Sequence, residues 1–310
     1  MKKSHLKASQ KENIIGTLLA SIPVIGFILF GIIPMVISLF MSFSDVPTFS
    51  ITDMKLYSFE EMFTNYSFVL EDPLFYKSIG NTFYALLSLP LAIIIGLVLA
   101  VLLNQNLKGK KIYRTLYFLP YVCSIVAITL MWRTLLDKNY GVINQFLGIF
   151  NIEPVAWLTN EKTFMPAMIV MSVWCGVGFN MILYSAALSN INPSYYEAAE
   201  IDGANKFQKF FKITVPLLSS TTFYLLVVGL IGGLQEFTRF QAINSVNSNL
   251  ISPTGPDNAG LTIVFYLYNK AFLTNGGLGI AAATSWLLAI LTTIITIINF
   301  KFSKRWVYDG

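Results

Sequence analysis

Charged residues are scarce in this sequence. Only 12% of its 310 residues are Asp, Glu, Lys or Arg, about half the share that a soluble globular domain usually carries. Histidine is nearly absent as well, since the single His5 lies in the charged N-terminal segment. One histidine in a terminal segment cannot complete a nucleophile–histidine–acid set. These absences argue against an enzyme.

Two further absences narrow the chemistry. The only cysteines are Cys123 and Cys175, which both lie within apolar runs, so neither a disulfide framework nor metal-ligand spacing is present. No G-x-x-x-x-G-K-[ST] phosphate loop occurs, because the one Gly-Lys pair, Gly109-Lys110, lacks the upstream glycine. We therefore expect that this polypeptide binds neither a metal nor ATP, and no other cofactor.

Apolar residues are abundant instead. The hydrophobic share is 55% and the mean hydropathy is +0.63, with a formal net charge of +5. The basic residues form short clusters beside apolar runs, as membrane topology requires, so the positive charge does not indicate nucleic acid. The composition predicts an all-α, multi-pass membrane protein. Its first apolar run is too long for the core of a secretory signal and is expected to stay as a membrane anchor.

Six stretches meet the length of roughly 20 apolar residues that a membrane-spanning helix needs. We place the six spans near residues 14–43, 79–104, 113–136, 164–188, 213–236 and 280–302. Short tails at 1–13 and 303–310 and a polar connection at 189–212 remain outside the spans.

The basic residues also predict the orientation of the spans. Most of the 21 Lys and Arg residues fall on one side. They are Lys2, Lys3, Lys7, Lys11, Lys108, Lys110, Lys111, Arg114, Lys206, Lys209, Lys212, Lys301, Lys304 and Arg305. Because Lys and Arg are enriched in cytoplasmic loops, both termini and the 189–212 connection are expected in the cytoplasm.

The connection between spans four and five is a polar, helix-forming segment. Ser194 followed by Glu197 has capping-box spacing and predicts a helix from Tyr195. Asp202-Gly203 is a stop signal that ends this helix near residue 201. A second helix is expected to start near Ala204.

The second helix is predicted to be amphipathic, with Phe207, Phe210 and Phe211 on one face and Lys206, Lys209 and Lys212 away from it. Pro216 marks the start of span five. Taken alone, the segment is equally consistent with a connector that lies on the inner leaflet with its phenylalanines in the lipid boundary.

A spaced motif in this loop resembles a known family. Glu197-Ala198-Ala199, then Gly203, Ile213 and Pro216, is similar to the EAA…G…I.LP signature of permease subunits in bacterial binding-protein-dependent ABC importers, with Val215 in place of the usual Leu. Further stretches resemble its carbohydrate-uptake branch, which includes the maltose and glycerol-3-phosphate permeases. They are RTLYFLPYV from Arg114, WCGVGFNMILYSAALSNINPSYYEAA from Trp174 and LTIVFYLYNKAF from Leu261. The loop SPTGPDNAG from Ser252 resembles the GGP-containing loop of the family, with Thr254 in place of the first glycine.

The resemblance implies a type I importer permease in the bacterial cytoplasmic membrane. Its loop would be a coupling helix that docks into one of two separate ATPase subunits, and those subunits would hold ATP and Mg. A second homologous permease chain and an external solute-binding protein are further implied partners, alongside membrane lipid, and nucleic acid is not. The implied coupling residues are Tyr196, Glu197, Ala198, Ala199, Asp202, Gly203, Ala204, Phe207 and Pro216.

Polar and aromatic residues in spans four and five are candidates for the substrate pathway, because such residues usually face the interior of a bundle. By resemblance to the maltose permease, the sugar-site positions are Ser172, Gly176, Phe179, Gly229, Gly233 and Glu236. We add Trp174, Asn180 and Gln235 for their ring or amide chemistry. Packing between helices is an equally good explanation for each of them except Glu236, for which Arg239 is a candidate ion-pair partner.

Two alternatives to a carbohydrate importer remain at this point. A permease of the same class could carry a non-sugar solute such as glycerol-3-phosphate, although the outer ends of the spans are not especially basic. An ion-coupled secondary transporter would need inverted repeats and charges near mid-membrane, and the spans show neither. A membrane scaffold without transport gives no reason for the coupling motif.

Overall fold

The computed structural model describes residues 8–48, 51–105, 107–245 and 254–308, and its regular structure is almost entirely helical. The chain forms two compact units, Met1–Glu71 with Leu267–Trp286, and Asp72–Tyr266 with Leu287–Gly310. Residues 1–7 of the predicted N-terminal tail, and Ser252-Pro253 at the start of the SPTGPDNAG stretch, lie outside the described residues.

The first unit begins with a long helix whose apolar side chains point outward. In chain order, its N-terminal part comprises α1 (Ala8–Phe27), a π-helical turn (Ile28–Ile32), α2 (Ile33–Ser42), β1 (Ser44–Asp45), a 3-10 turn (Ile51–Asp53), β2 (Lys55–Leu56) and α3 (Thr64–Glu71). The two short strands pair antiparallel, with Ser44 opposite Leu56. Asn65 of α3 stabilises the end of α2, because its Nδ2 donates to the carbonyl oxygens of Ser42 and Ser44 at 3.1 and 2.9 Å.

The remaining regular structure of the described residues is helical. The helices are α4 (Pro73–Leu86), α5 (Ser88–Asn104), α6 (Lys110–Val122), α7 (Ile125–Leu135), α8 (Val142–Gly148), α9 (Glu161–Ser189), α10 (Ser194–Ile201), α11 (Lys206–Lys209), a π-helical turn (Phe210–Thr214), α12 (Val215–Leu217), α13 (Ser219–Leu234), α14 (Thr238–Ser245), a 3-10 turn (Pro256–Asn258), α15 (Ile263–Leu273) and α16 (Leu278–Ser303).

Four of the predicted spans are covered by continuous helical stretches that are long and apolar enough to cross a membrane. They run over Ile15–Ser42, Pro73–Asn104, Glu161–Ser189 and Leu278–Ser303. Large side chains such as Phe30, at 85% exposure, and Ile297, at 61%, lie on their outer surfaces. A water-soluble monomer rarely exposes so much contiguous apolar surface, so these faces are suited to lipid.

The third and fifth predicted spans differ from the single helices that the sequence suggested. α6 and α7 meet at a bend of 100°, and the α11–α12 segment meets α13 at a bend of 59°. Cys123 and Ser124 have extended backbone between α6 and α7. Each break lies within four residues after a proline, Pro120 or Pro216, which removes a backbone donor and weakens the preceding turn.

The second unit is held together by close packing of α5 on α9. Ile93, Ala100 and Leu103 of α5 are buried against Met181, Tyr184 and Leu188 of α9, together with Leu218 and Leu225 from the fifth predicted span. The hydroxyls of Tyr184 and Thr222 are 2.8 Å apart and connect α9 to α13. Since lipid supplies little hydrophobic driving force between helices, packing and such hydrogen bonds are expected to stabilise the bundle.

Gly178 permits the closest approach of α6 to α9. A Cβ atom at this position would lie 2.0 Å from the carbonyl oxygen of Tyr117 and 2.8 Å from the Cα of Phe118. Both contacts are with backbone, so the neighbouring helix could not relieve them by rotating a side chain.

We expect Gly178→Ala to lower the melting temperature of the detergent-purified protein, because overpacking typically costs about 1–3 kcal/mol. Gly80→Ala is the matched control, since a Cβ atom there would meet nothing within 4 Å. It is expected to be neutral or slightly stabilising, because Ala is the better helix former by about 1 kcal/mol. Equal melting temperatures for the two variants would contradict the close approach of α6 to α9.

Candidate functional site

The segment between α9 and α13 forms a helical hairpin, here termed the coupling hairpin and comprising α10, α11 and the π-helical turn to Thr214. α10 ends at Ile201, and Gly203 adopts the left-handed conformation at φ +76°. The amide of Gly203 donates to the carbonyl of Glu200 at 3.0 Å. The Asp202-Gly203 stop signal is therefore confirmed. The positive φ that this position requires is one that glycine adopts without strain.

The helix starts in the hairpin differ from those that the sequence suggested. Ser194 is itself the first residue of α10 and makes no side-chain cap; the Oδ1 of Asn192 instead accepts a hydrogen bond from its amide at 3.0 Å. The second arm begins at Lys206, two residues after Ala204, near which its start was predicted, because Asn205 and Gln208 form a reciprocal capping box. The predicted capping box at Ser194 was wrong, since the side chain of Asn192 accepts the hydrogen bond from the Ser194 amide that the Glu197 side chain was expected to accept.

Two side-chain contacts join the arms of the hairpin. The hydroxyls of Tyr196 and Thr214 are 3.0 Å apart, and Nζ of Lys209 lies 2.5 Å from Oε1 of Glu200. The hydrogen bond from Lys209 and its positive charge hold the pKa of the Glu200 carboxyl below its usual value. A lowered pKa keeps this ion pair at neutral pH, and the pair is lost only as the pH falls through that lowered value.

Large apolar side chains are exposed on the outer surface of the hairpin. Ile201 is 87% exposed and Phe207 is 76% exposed. Phe207 and Phe211 stack with ring centroids 6.2 Å apart, and the edge of Phe210 meets Phe211 at 4.9 Å, as the predicted phenylalanine face requires. Among the nine predicted coupling residues, the exposed ones are Glu197, Ala198, Asp202, Gly203 and Phe207, and the half-buried ones are Tyr196, Ala199, Ala204 and Pro216.

A cavity of about 330 Å³ lies between α4, α5, α9, α13 and the chain that follows α13. Seven of the nine residues proposed for the substrate pathway line it. They are Ser172, Gly176, Phe179, Asn180, Gly229, Gly233 and Glu236.

The other two proposed pathway residues lie elsewhere. Trp174 lines a separate, mostly apolar groove of about 540 Å³ with Leu91 and Tyr117, and its ring meets that of Trp132 edge-on at 5.8 Å. Gln235 is exposed and does not line the cavity. Neither side chain therefore joins the cavity that the remaining seven line.

Tyr121 and Arg239 also line the cavity, although neither was among the proposed pathway residues. Tyr121 of α6 stacks on Phe179, with centroids 4.7 Å apart and planes at 17°. Arg239 lines the cavity beside Glu236, with Nη2 3.3 Å from Oε2, and its Nη1 donates to Oγ of Ser172 at 2.9 Å. The Glu236–Arg239 pair was anticipated as an ion pair, but nothing in the sequence indicated that Ser172 would join it.

The glycines of α13 have different surroundings. A Cβ atom at Gly229 would lie 2.2 Å from Cδ1 of Leu89, and one at Gly233 would lie 2.4 Å from Cδ2 of Leu86. A Cβ atom at Gly232 would meet nothing within 4 Å, although this residue also lines the cavity. Gly229 and Gly233 therefore let α13 pack closely on α5 and α4, whereas a side chain at Gly232 would have open space around it.

The chemistry of the cavity is that of reversible binding. It offers a stacked aromatic pair, a carboxylate, a guanidinium, a hydroxyl and an amide, which together can contact the faces and hydroxyls of a polar ring compound. Within the described ranges, His, Cys, Asp and Glu form no group of three that could hold a metal ion.

Comparisons with known proteins place the chain in a family. Residues 92–308 match the family described as binding-protein-dependent transport system inner membrane component. The chain is 37% identical to the probable ABC transporter permease protein YesP of Bacillus subtilis, over 99% of this chain and 96% of that protein. It is 31% identical to the arabinooligosaccharides transport system permease protein AraP of the same organism, over 93% of this chain and 88% of that one.

A solved structure is also similar. The crystal structure of a bacterial alginate ABC transporter in complex with an alginate pentasaccharide-bound periplasmic protein contains a chain that matches with a TM-score of 0.79 and 26% identity, over 97% of each chain. The fold is thus that of a type I importer permease. The chain belongs to the family of binding-protein-dependent transport system inner membrane components, and it is a membrane-embedded permease and not an enzyme.

Proposed function

We propose that this chain is one of two permease subunits of an ATP-driven importer that moves a carbohydrate into the cell. Six spans, with the α6–α7 and α11–α13 segments as bent spans, would place both termini and the coupling hairpin in the cytoplasm. The hairpin would dock on a separate ATPase subunit, where ATP and Mg bind. Only one EAA loop occurs in this chain, so a second permease chain would engage the second ATPase.

The observation that carries this proposal is the position of the cavity relative to the hairpin. α9 and α13 line the cavity along part of their length, and the hairpin is the direct connection between the ends of the same two helices. A movement of the hairpin would therefore act on both walls of the cavity. The similarity to an arabinooligosaccharide permease and to a chain of a solved alginate transporter supports a carbohydrate as the class of substrate.

A neutral or complex glycan is the substrate that the cavity favours. Glu236 and Arg239 pair with each other, so their charges offset one another at the wall. The stacked rings of Tyr121 and Phe179 offer a flat apolar surface. Aromatic faces and paired polar groups suit sugar rings better than a compact dianion, which would favour an excess of basic side chains.

The test is to tag the C-terminus after Gly310, purify the protein from native membranes in mild detergent, and identify co-purifying chains by mass spectrometry. We expect an ATPase and a second EAA-bearing permease. An accompanying binding protein would then be screened against neutral oligosaccharides, acidic oligosaccharides and glycerol-3-phosphate. Recovery of this chain alone, in a preparation shown to stay folded, would reject the importer and return the ion-coupled transporter as the alternative.

A further inference from the structure

One face of α10, which includes Tyr196, contacts the second arm of the coupling hairpin. Tyr196 and Glu200 are one helical turn apart and therefore lie on the same face. Their partners are Thr214 and Lys209 on the second arm. Glu197 and Ala198 lie off this face and are exposed. The hairpin thus has an inner face that joins its two arms and an outer face that is free to dock.

The two contacts between the arms differ in strength. Glu200 is 65% exposed, and an ion pair with so much water around it contributes little. Thr214 is 5% exposed, so the Tyr196–Thr214 hydrogen bond lies in a drier place, where such bonds are stronger. The hydroxyl contact is therefore the firmer of the two.

Thr214 lies at the point where the hairpin meets the fifth predicted span. It is the last residue of the π-helical turn and is followed directly by α12 and then by α13, which lines the cavity. Along the backbone, α10 is connected to this point through the turn at residues 202–205, which contains Gly203 in a left-handed conformation, and then through α11 and the π-helical turn. The Tyr196–Thr214 contact is therefore a second link between α10 and the start of span five, made by side chains and independent of the backbone of this turn.

We propose that Tyr196 is a positioning residue whose hydroxyl, bonded to Thr214, makes α10 and the start of span five move as one body. Its role is then to transmit movement within this chain and not to contact the ATPase. The inference rests on the proposed function, in which an ATPase engages the outer face of the hairpin. The hydroxyl bond passes that movement past the Gly203 turn to α13 and the cavity wall.

The experiment measures transmission directly in the purified importer complex. A cysteine introduced by Gly232→Cys, with Cys123 and Cys175 replaced by Ser, reports on the cavity, because a side chain at residue 232 has open space around it. The readout is the change in its labelling rate by a maleimide when MgATP is added together with the co-purified binding protein. Rates of ATP hydrolysis and recovery of the ATPase are measured on the same preparations.

We expect Tyr196→Phe and Thr214→Val each to reduce the MgATP-induced change in labelling about five-fold, the effect of one hydrogen bond. The double variant should show no further loss, because both single variants remove the same bond. Thr214→Ser keeps the hydroxyl and should therefore retain the MgATP-induced change in labelling that Thr214→Val loses. ATPase recovery should equal that of the unsubstituted chain, since the outer face is intact. Tyr195→Phe, which removes an exposed hydroxyl from the neighbouring residue, is the control and should leave the change intact.

Three results would each reject the positioning role. The MgATP-induced change in labelling could be unaltered in Tyr196→Phe, it could be reduced further in the double variant than in either single variant, or it could be reduced equally in Tyr195→Phe. Failure of the unsubstituted chain to recover any ATPase would reject the proposed function itself. The two failures are distinguishable, because the first leaves a coupled parent complex and the second leaves none.

Discussion

Gly203→Pro is expected to abolish transport while the chain remains in the membrane. The backbone of Gly203 has φ +76°, whereas proline is restricted to φ near −65°. Proline would also remove the amide that donates to the carbonyl of Glu200. The turn between the arms of the hairpin could then not form, and the outer face of α10 would no longer be presented to the ATPase. We expect uptake to fall by more than about ten-fold, the equivalent of 1.4 kcal/mol.

A series at this position separates conformation from size. A Cβ atom at Gly203 would meet nothing within 4 Å, so only the backbone conformation limits the residue. Gly203→Asn should retain most transport, because Asn tolerates the left-handed region, and Gly203→Ala should be intermediate, at a cost of about 1–2 kcal/mol. Uptake and ATPase co-purification are measured at equal membrane levels of each variant. Normal uptake by Gly203→Pro would remove the hairpin from the coupling mechanism.

The hairpin illustrates which features a single sequence can predict. The stop at Asp202-Gly203 and the phenylalanine face were predictable, because both depend on local backbone and spacing. The start of α10 was misplaced, since two polar residues, Asn192 and Ser194, compete for the same role and the sequence does not rank them. The Tyr196–Thr214 bond was not foreseen, because it joins two helices whose relative angle is set by the turn and the π-helical segment.

The cavity shows the same division. Ser172, Gly176 and Phe179 follow one another at spacings of four and three, which puts them on one face of α9, and all three line the cavity. Trp174 is two residues past Ser172 and therefore lies about 200° around the helix, toward another groove. The Tyr121–Phe179 stack could not be predicted, because it depends on how α6 packs on α9, two helices that are far apart in the sequence.

Glu236→Gln is expected to reduce uptake strongly without lowering the amount of complex in the membrane. The side chains of Glu236 and Arg239 are about 20% exposed, and Nε of Arg239 is buried without a partner. Removing the carboxylate would leave a guanidinium unpaired at the wall of the cavity, and breaking a buried pair typically costs about 3–5 kcal/mol. Because both residues retain some exposure, we expect the low end of that range. The cavity wall would then carry a net positive charge. This charge would not repel a neutral sugar, but without its carboxylate partner the Arg239 guanidinium would no longer be held in position to hydrogen-bond.

The double variant Glu236→Gln/Arg239→Gln decides between a direct and a structural role for the Glu236–Arg239 pair. If the pair only stabilises the chain after α13, removing both charges should restore uptake, because no unpaired charge remains. If the pair contacts the substrate, uptake should stay low even though the melting temperature recovers, and we expect this second result. Gln235→Ala is the matched control, since Gln235 is exposed and lies outside the cavity. A loss of uptake in that control as large as in Glu236→Gln would show that the effect arises from the end of α13 and not from the cavity wall.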